Sequence, residues 1–373
     1  EGERSLPYVS QIIENFKLTR SAYPIKRIGK RIKLIFVNGF FQKKIFRNRI
    51  AGIMHALVFW GFCIILFGSL EIVVDGVFGL EKSFAILGNT YCFLMSFGDV
   101  FAYIIGICII IFIIRRYCLN IARLHGKELS KKNHKDAYLA LTFIFLLMLS
   151  LAGLNTFFMA LHTDACVVNY PISKYIASLF SNLSTPKLIF WYKFNWWTHI
   201  LLIFIFANIL PYSKHFHIFL SLPNVFLSRL SPLSKLYTME QITKEAQIIL
   251  NPELFINIDA ISQTEKIERF GILDVENITW KNYIDSLACT QCGRCTAVCP
   301  ANITGKALSP RKLFMDIRKR MNEKSKGLKK EGKTYNDNKS LIRDYVTEEE
   351  IWACVTCNAC AKECPLNIDH PTF

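Results

Sequence analysis

Three features are scarce or missing in this 373-residue sequence. No secretory signal peptide is visible before the first apolar run. The chain has 45 Lys and Arg against 29 Asp and Glu, but no RNA- or DNA-binding motif accompanies this basic excess. Nucleic acid is therefore not an expected partner. Lysine and arginine are also nearly absent from two loops, 76–92 and 163–184, so the positive charge is concentrated elsewhere.

Apolar residues, in contrast, are abundant. The chain is 52% hydrophobic and contains 30 Phe, a composition typical of membrane proteins. Four apolar runs approach the ~20 residues that a hydrocarbon core requires, and they predict crossings at about 50–74, 97–114, 137–160 and 194–213. Basic segments flank the same end of each crossing. The positive-inside rule therefore places these segments, with the N-terminal and C-terminal regions, on the cytoplasmic side.

The composition divides the chain into four regions. Residues 1–49 alternate apolar and basic side chains and predict helices on the inner membrane surface, or else a partly disordered basic arm. The bundle occupies 50–218, a linker rich in Pro and Ser follows at 219–280, and 281–373 is a cysteine-rich soluble domain. Residue 1 is Glu rather than Met, so we expect sequence upstream that could add a fifth helix. The expected fold is an all-α membrane protein, with a four- or five-helix bundle followed by a mainly helical two-[4Fe–4S] ferredoxin domain.

Eight of the thirteen cysteines form two copies of the pattern C-x2-C-x2-C-x3-C-P. This spacing is typical of [4Fe–4S] sites in which the fourth cysteine ligates the other cluster. A tetrahedral zinc site would have no use for the third cysteine at the same step. The predicted ligands are Cys289, Cys292, Cys295 and Cys364 for cluster 1, and Cys354, Cys357, Cys360 and Cys299 for cluster 2. The basic stretch 311–330 between the motifs offers either a docking face for an acidic electron-transfer partner or a solvated helix face.

Histidines near the apolar runs predict a second kind of cofactor. A histidine in or beside hydrocarbon is costly unless something compensates it, and two imidazoles on facing helices can hold haem b. His199 and His217 are eighteen residues apart, which is five turns on one face of a continuous helix. His55 matches His217 in depth and predicts an inner haem b. His162 matches His199 and predicts an outer haem b.

Other residues near these histidines bear on the prediction. Pro211 interrupts the helical ladder and could change the phase between the two ligands. His215 is rotated by ~160° from His199 on an ideal helix, so we interpret it as a surface histidine. Gly61 and Gly68, on the helix of His55, could leave room for a macrocycle. The alternative for both pairs is that the histidines only cap or anchor helices at the membrane interface.

Two stretches, WWTHILLIFIFANILPYSKHFHI and CGRCTAVCPANITGKALSPRK, carry a resemblance to known proteins. The membrane half resembles the cytochrome b (gamma) subunit of respiratory nitrate reductases. The soluble half resembles the C subunit of heterodisulfide reductases. Their fusion resembles membrane-bound Fe–S oxidoreductases of Bacteroidetes-type bacteria, which work with cysteine-rich CCG-domain proteins. The resemblance covers nearly the whole chain and implies the bacterial inner membrane as its location.

The resemblance also implies haem ligands. In the nitrate reductase cytochrome two helices each carry two histidines, and His199, His217 and His55 match three of these four. The fourth would fall at Ile65, which cannot bind iron, so either His162 substitutes or only the inner haem is present. A further departure is that no CCG cysteine repeat appears, so that chemistry would belong to a separate subunit or to a continuation of the chain.

Together these features predict a membrane electron-transfer subunit without catalytic residues of its own. Electrons would pass between a cytoplasmic redox partner, the two clusters, haem b and menaquinone. The resemblance allows an electron-transfer flavoprotein or a CCG-domain (heterodisulfide reductase B-like) subunit as partner, and the direction of flow depends on which it is. Two other classes remain open. One is a proton- or ion-coupled redox subunit in which Asp99 and the membrane histidines relay protons, and the other is a passive membrane anchor of a larger Fe–S complex.

Overall fold

The computed structural model describes residues 8–119, 121–126, 128–162, 169–235, 240–251 and 271–373, so the predicted linker is described only in part. Helices make up most of this described chain. In chain order they are α1 (Tyr8–Leu18), α2 (Ile28–Leu34), α3 (Arg49–Phe78), α4 (Asn89–Tyr117), α5 (Lys131–Leu161), α6 (Pro171–Ala177), α7 (Thr185–Ile209), α8 (His217–Phe226), α9 (Glu240–Leu250), α10 (Trp280–Ala288), α11 (Arg294–Ala297), α12 (Pro300–Ile303), α13 (Pro310–Glu331), α14 (Glu348–Trp352) and α15 (Ala359–Glu363).

The chain forms two compact units. The bundle unit comprises Phe41–Phe216, and the cluster unit combines Glu1–Phe40 with His217–Phe373. These boundaries differ from the predicted bundle at 50–218. The difference matters at one residue above all, because His217 begins α8 and belongs to the cluster unit.

Four helices of the bundle unit are long and apolar enough to cross a membrane, which confirms the predicted number of crossings. Their spans are Arg49–Phe78, Asn89–Tyr117, Lys131–Leu161 and Thr185–Tyr212. The fourth span begins nine residues before the predicted start at 194. Pro186 occupies its first turn, where a missing amide hydrogen costs nothing and the fixed φ favours a helix start.

The helix that carries His199 does not continue to His217. After α7 the chain makes a 3-10 turn at Leu210–Tyr212 and then adopts extended backbone at Ser213, with φ −98° and ψ 158°. Pro211 in this turn lacks an amide hydrogen and cannot continue the helical ladder. The prediction that His199 and His217 share one face of a continuous helix is therefore wrong.

Small residues allow close helix packing in the bundle unit. A Cβ at Gly153 of α5 would lie 2.3 Å from Asn195 Oδ1 of α7, so the two helices approach closely here. A Cβ at Gly61 of α3 would lie 2.6 Å from the Phe101 ring of α4. The space at Gly61 is thus filled by the neighbouring helix and is not room for a macrocycle.

Asp99 of α4 holds the short helix α6 in place. The carboxylate is fully buried and accepts hydrogen bonds from the backbone amides of Ile172 and Ser173, at 2.9 and 3.0 Å. The Ser173 hydroxyl (2.5 Å) and the Asn155 amide (3.2 Å) also donate to it. A buried charge needs such donors, and these contacts assign Asp99 to capping α6. They give no support to the proton relay considered above.

The N-terminal segment contributes to the cluster unit. Gln11 and Asn15 of α1 donate hydrogen bonds to Ser325 and Tyr283, each at 2.8 Å. Arg31 is also buried, and it donates to the backbone carbonyl oxygens of Phe226 and Ser228. This part of region 1–49 therefore packs within a folded unit. The structure does not present it as the isolated surface helices that its composition predicts.

The basic stretch 311–330 lies on α13, and most of its arginine charge is used inside the cluster unit. Arg311 and Arg320 are 1% and 0% exposed. Arg320 makes a bidentate contact with Asp274, at 2.9 and 2.8 Å, and another with Asp337, at 2.5 and 3.0 Å. The guanidinium of Arg320 lowers the pKa of Asp337 through these hydrogen bonds. These arginines are therefore structural and do not form the predicted docking face.

Replacement of Arg320 tests this ion-pair network. Arg320→Met leaves the carboxylates of Asp274 and Asp337 without their main partner, so we expect a loss of ~3–5 kcal/mol in the free energy of unfolding of the cluster unit. Arg343 pairs with Glu348 at 3.2 Å, but its side chain is 73% exposed, so Arg343→Met should cost less than ~1 kcal/mol. Denaturant titration followed by iron–sulfur absorbance measures both. Equal losses in the two variants would contradict the assignment.

Candidate redox-cofactor sites

The two cysteine loops share one backbone conformation. In the first loop Gln291 and Gly293 have positive φ values of 57° and 73°. In the second loop Thr356 and Asn358, at the same motif positions, have φ values of 51° and 61°. Non-glycine residues rarely adopt this region, so its recurrence at matching positions shows that each loop is bent in the same way around its three cysteines. Concave turns of this kind are typical sites for Fe–S clusters.

The thiols of the two motifs interact electrostatically. Burial raises the pKa of Cys295 well above its usual value, and Cys292, Cys289, Cys364 and Cys360 add to the effect. Burial also raises the pKa of Cys360 to about 12, with contributions from Cys299, Cys354 and Cys357.

Cys364 of the second motif interacts with Cys292 and Cys289 of the first, and Cys299 of the first motif interacts with Cys360 of the second. Packing of α11 against α15 brings the motifs together, because Cys299 follows α11 and Cys364 follows α15. The predicted exchange of the fourth ligand is compatible with this packing. In the described chain no three potential donor side chains converge closely enough to hold a single metal ion. The thiols are grouped at longer range, and their types and number fit the donor sets of two [4Fe–4S] clusters.

Two arginines of α13 place positive charge at the first loop. Arg318 donates to the backbone carbonyl oxygens of Leu287 and Cys289, at 3.1 and 3.0 Å. Arg311 donates to the carbonyl oxygen of Gln291 at 3.3 Å. Burial raises the pKa of the Cys289 thiol, and both guanidinium groups act in the opposite direction. The same charges would stabilise the reduced form of cluster 1, since net charge and hydrogen bonding set cluster potentials.

The two loops differ in exposure. In the set for cluster 1, Cys289, Cys295 and Cys364 are buried. In the set for cluster 2, Cys354 and Cys357 are exposed. Cys292 of the first set and Cys360 of the second are partly exposed, and Cys299 of the second is buried. The predicted ligands of cluster 1 are thus the more buried set, and the exposed thiols of the two motifs all belong to the set for cluster 2.

His199 is buried in the middle of α7. Its Nδ1 lies 2.9 Å from Ser150 Oγ, whose hydroxyl donates to the Leu147 carbonyl at 3.0 Å. Because that hydroxyl proton is already used, Nδ1 carries the imidazole proton and Nε2 presents its lone pair. Nε2 is buried and has no hydrogen-bond partner. Histidines that bind metals show this arrangement, in which a partner at one ring nitrogen fixes the tautomer of the other.

His55 shows a related arrangement near the start of α3. Its Nδ1 lies 3.1 Å from Oε1 of Gln42, whose side chain is 2% exposed. A carbonyl oxygen can only accept, so Nδ1 is the protonated nitrogen and Nε2 carries the lone pair. This tautomer is suited to metal ligation. His217, the predicted partner of His55, lies in the cluster unit.

The structure does not bring His162 and His199 together. His199 contacts Ser150 of α5, whereas His162 follows the end of the same helix, twelve residues or ~18 Å further along. His162 is exposed, stacks on the Phe158 ring at 4.5 Å and has its Nδ1 3.1 Å from the Phe158 carbonyl. Contrary to the prediction from the sequence, the two histidines do not lie at the same depth along their helices. Helix α7 starts earlier than expected, so His199 lies near the middle of its span.

His215 takes part in a local turn. Its Nδ1 lies 3.0 Å from Ser213 Oγ, and its backbone amide donates to the same oxygen at 3.1 Å. These contacts hold the extended segment after α7 and agree with a role outside cofactor binding.

A cavity of about 290 Å³ lies in the bundle unit between α3, α4, α5 and α7. Its lining includes Ile64, Ile65, Gly68, Leu94, Leu151, Leu154 and Trp196. At the end near α6 it is bounded by polar residues. Lys82 is one of them, and its Nζ donates to the Tyr170 hydroxyl at 2.8 Å and lies 4.7 Å from the centre of the Phe158 ring. An apolar cavity with a few polar groups is the usual form of a small-molecule site.

Several of these residues were not identified from the sequence. Ser150 and Gln42 belong to no recognisable sequence motif. Only the structure shows that they lie next to the Nδ1 atoms of His199 and His55. Lys82 did carry a signal, as a lone basic residue in a loop otherwise almost free of lysine and arginine. Arg318 was counted only as part of a basic stretch.

The fold and sites together define a two-cluster iron–sulfur protein with four helices suited to crossing a membrane. Residues 288–368 match the model of the 4Fe-4S dicluster domain. The match covers both cysteine motifs. It supports the two clusters predicted from the cysteine spacing.

Similar proteins extend beyond this domain. The chain is 30% identical over 375 residues to the "Probable iron-sulfur-binding oxidoreductase FadF" of Bacillus subtilis (strain 168), an alignment that covers 92% of this chain and 49% of FadF. It is 29% identical over 374 residues to the "EtfAB:quinone oxidoreductase" of Syntrophomonas wolfei, covering 92% of this chain and 48% of that protein. A third relative is the "Probable membrane-anchored ferredoxin" of Chromohalobacter salexigens, 34% identical over 113 residues, which are 27% of this chain and 17% of that protein.

The chain thus spans about half the length of the first two relatives. No solved structure matches it. The comparisons support an iron–sulfur electron-transfer protein associated with a membrane, related to iron–sulfur oxidoreductases.

The exchange of the fourth ligand can be tested with single variants. If Cys364 belongs to cluster 1, Cys364→Ala should remove the same electron paramagnetic resonance signal as Cys289→Ala, although the two residues lie in different motifs. Cys299→Ala should match Cys354→Ala in the same way. Cys118→Ala is the matched control, since this cysteine lies outside both motifs. Loss of the Cys354-type signal in Cys364→Ala would contradict the exchange.

Proposed function

We propose that the protein is a membrane electron-transfer subunit that links a redox protein to the quinone pool through two [4Fe–4S] clusters and haem b. The observation that carries the membrane part of this proposal is the buried, unpartnered Nε2 of His199. A buried polar atom without a partner costs ~1–3 kcal/mol. Such a cost inside a membrane helix is a reason to expect a ligand, and iron is the ligand that this tautomer suits.

The residues of the bundle unit fit haem b in two respects. His199 and His55 each present Nε2 as the nitrogen with a lone pair, with a neighbouring side chain at Nδ1. They stand on α7 and α3, the helices whose histidines carry the resemblance to the nitrate reductase cytochrome. We keep His55, His199 and His217 as proposed haem ligands and do not propose His162. A bound haem would supply one-electron chemistry between the clusters and a quinone.

We assign the cavity between α3, α4, α5 and α7 to the head group of menaquinone. Its apolar lining suits a quinone ring, and the Lys82 ammonium could donate a hydrogen bond to a quinone carbonyl. Glu71 also lines the cavity and accepts from the Tyr91 hydroxyl at 2.9 Å and from the Phe84 amide at 3.0 Å. The name of the S. wolfei relative supports quinone as the substrate class.

An electron-transfer flavoprotein is the partner that we propose for the clusters. The name of the same relative joins EtfAB with a quinone. This one name is our reason to propose the flavoprotein before the CCG-domain subunit that the sequence leaves open. Electrons would then enter from the flavoprotein and leave as quinol. Placement of the protein in the bacterial inner membrane, with the clusters on the cytoplasmic side, belongs to the same proposal.

Haem content tests the role of His199. We expect His199→Ala to lose at least half of the b-type absorbance of the purified protein, because the variant removes one axial nitrogen. The retained fraction also counts the haems, since a single haem would be lost completely and one of two would leave half. His215→Ala is the control, because its imidazole is held by Ser213, and it should keep full absorbance. Full haem content in His199→Ala would exclude this ligand.

Quinone binding is tested at Lys82. Lys82→Met removes the ammonium at the cavity but keeps an apolar stem, and we expect the rate of haem reduction by a menaquinol analogue to fall about tenfold, as for loss of a charged hydrogen bond. Lys174 of α6 is exposed, and Lys174→Met should leave the rate unchanged. Reduction by dithionite should be equal in all three proteins. A normal quinol rate in Lys82→Met would place the head group elsewhere.

A further inference from the structure

The exposed large apolar side chains of residues 271–373 all lie close in sequence to predicted ligands of cluster 2. Between residues 271 and 373 four large apolar side chains are exposed, namely Ile303 (67%), Ile351 (42%), Trp352 (85%) and Val355 (64%). Each lies within four residues of a ligand of cluster 2. Trp352 and Val355 flank Cys354, and Ile303 lies one helical turn after Cys299. We call these four residues the apolar rim.

The first cysteine loop has no such surroundings. Leu287 and Ala288 before Cys289 are buried, and Arg318 donates to the backbone carbonyl oxygens of Leu287 and Cys289. The thiols also differ, since Cys354 and Cys357 are exposed, whereas Cys289 and Cys295 are buried. Exposure and apolar side chains therefore coincide at one cluster site and are absent together at the other, within the described part of this domain.

We propose that the apolar rim is the surface on which the partner flavoprotein docks, and that cluster 2 is where its electrons enter. This inference rests on the proposed function and adds the place of contact. An exposed tryptophan with neighbouring aliphatic side chains is typical of the energetic centre of a protein interface. Exposed apolar residues grouped around a cofactor site have no structural use in the isolated domain.

The occupant is a redox protein because the rim surrounds ligands of a redox centre. Cluster 2, held by Cys354, Cys357, Cys360 and Cys299, would accept one electron from the reduced flavin of the partner, which would be oxidised by one electron. No bond is formed between the proteins, and any proton released from the flavin passes to water. A partner that only anchored the complex would gain nothing from a position next to Cys354 and Cys357.

Within the cluster unit, cluster 1 would be the next redox centre after cluster 2. Leu366, two residues after the cluster 1 ligand Cys364, accepts a hydrogen bond from Asn224 of α8 at 3.0 Å. Asn224 also donates to Asp285 at 2.9 Å, and both side chains are buried. Helix α8 begins with His217, the proposed haem ligand. The segment that follows the cluster 1 ligand Cys364 thus contacts the helix of a proposed haem ligand, whereas the exposed thiols of the two motifs belong to the set for cluster 2.

Steady-state reduction by the flavoprotein tests the rim. The protein is reconstituted in vesicles with menaquinone, and the electron-transfer flavoprotein of its source organism is the electron donor. We expect Trp352→Ser and Val355→Ser to raise KM for the flavoprotein about tenfold and fivefold. Ile249→Ser is the matched control, because Ile249 is 76% exposed on α9, which carries no cluster ligand, and its KM should stay at the wild-type value.

Two further readouts separate docking from cluster damage. Both rim variants should keep the cluster signals in electron paramagnetic resonance and the wild-type rate of haem reduction by quinol. Unchanged KM in both rim variants, with normal wild-type turnover, overturns the docking surface and leaves the proposed function intact. A wild-type protein that takes no electrons from the flavoprotein overturns the proposed donor and the occupant named here. Loss of the cluster 2 signal in both rim variants would show that these side chains protect the cluster, and it would also overturn the proposal.

Discussion

In the hydrocarbon core of a membrane no water is available to a polar group, so a buried polar group there needs a protein partner or a ligand. Asp99 meets this constraint with backbone and side-chain donors at α6, and Glu71 meets it with Tyr91 and the Phe84 amide. His199 meets it at only one of its two nitrogens. The contrast separates polar residues that complete the fold from a histidine that is left to bind something else.

Charged side chains in the cluster unit also differ in whether a protein group neutralises them. Arg320 and Arg318 are both on α13, but Arg320 is neutralised by two carboxylates, whereas Arg318 faces backbone carbonyl oxygens at the first cysteine loop. A guanidinium that is not paired with a carboxylate leaves its positive field at the cluster site. The arginine side chains of α13 contact the backbone of the first loop, whereas exposed apolar side chains flank the first cysteine of the second loop. The two sites are alike in backbone and different in surroundings, which is how one protein can give two clusters different potentials.

Much of this architecture can be predicted from the sequence, and the errors have identifiable physical causes. Apolar length predicts the four crossings, and cysteine spacing predicts two ligand sets whose members interact in the structure. The predicted start of the fourth crossing lies nine residues too far along the chain. Lys187 and Lys193 make the first turns of this helix look polar, although Pro186 starts a helix there. The histidine pairing assumed a continuous helix, which the extended backbone at Ser213 breaks. Tautomers and buried partners such as Ser150 depend on contacts between distant residues, which no local pattern encodes.

The proposed exchange of Cys299 and Cys364 between the motifs has a consequence for biogenesis. With this exchange, a nascent chain that has emerged only as far as the first motif supplies three of the four native ligands of cluster 1 and one of cluster 2. Native ligation of either cluster must wait until the second motif is synthesised and α15 has packed against α11. Maturation of this domain is therefore expected to be all-or-none, with both iron centres completed together after the second motif has emerged.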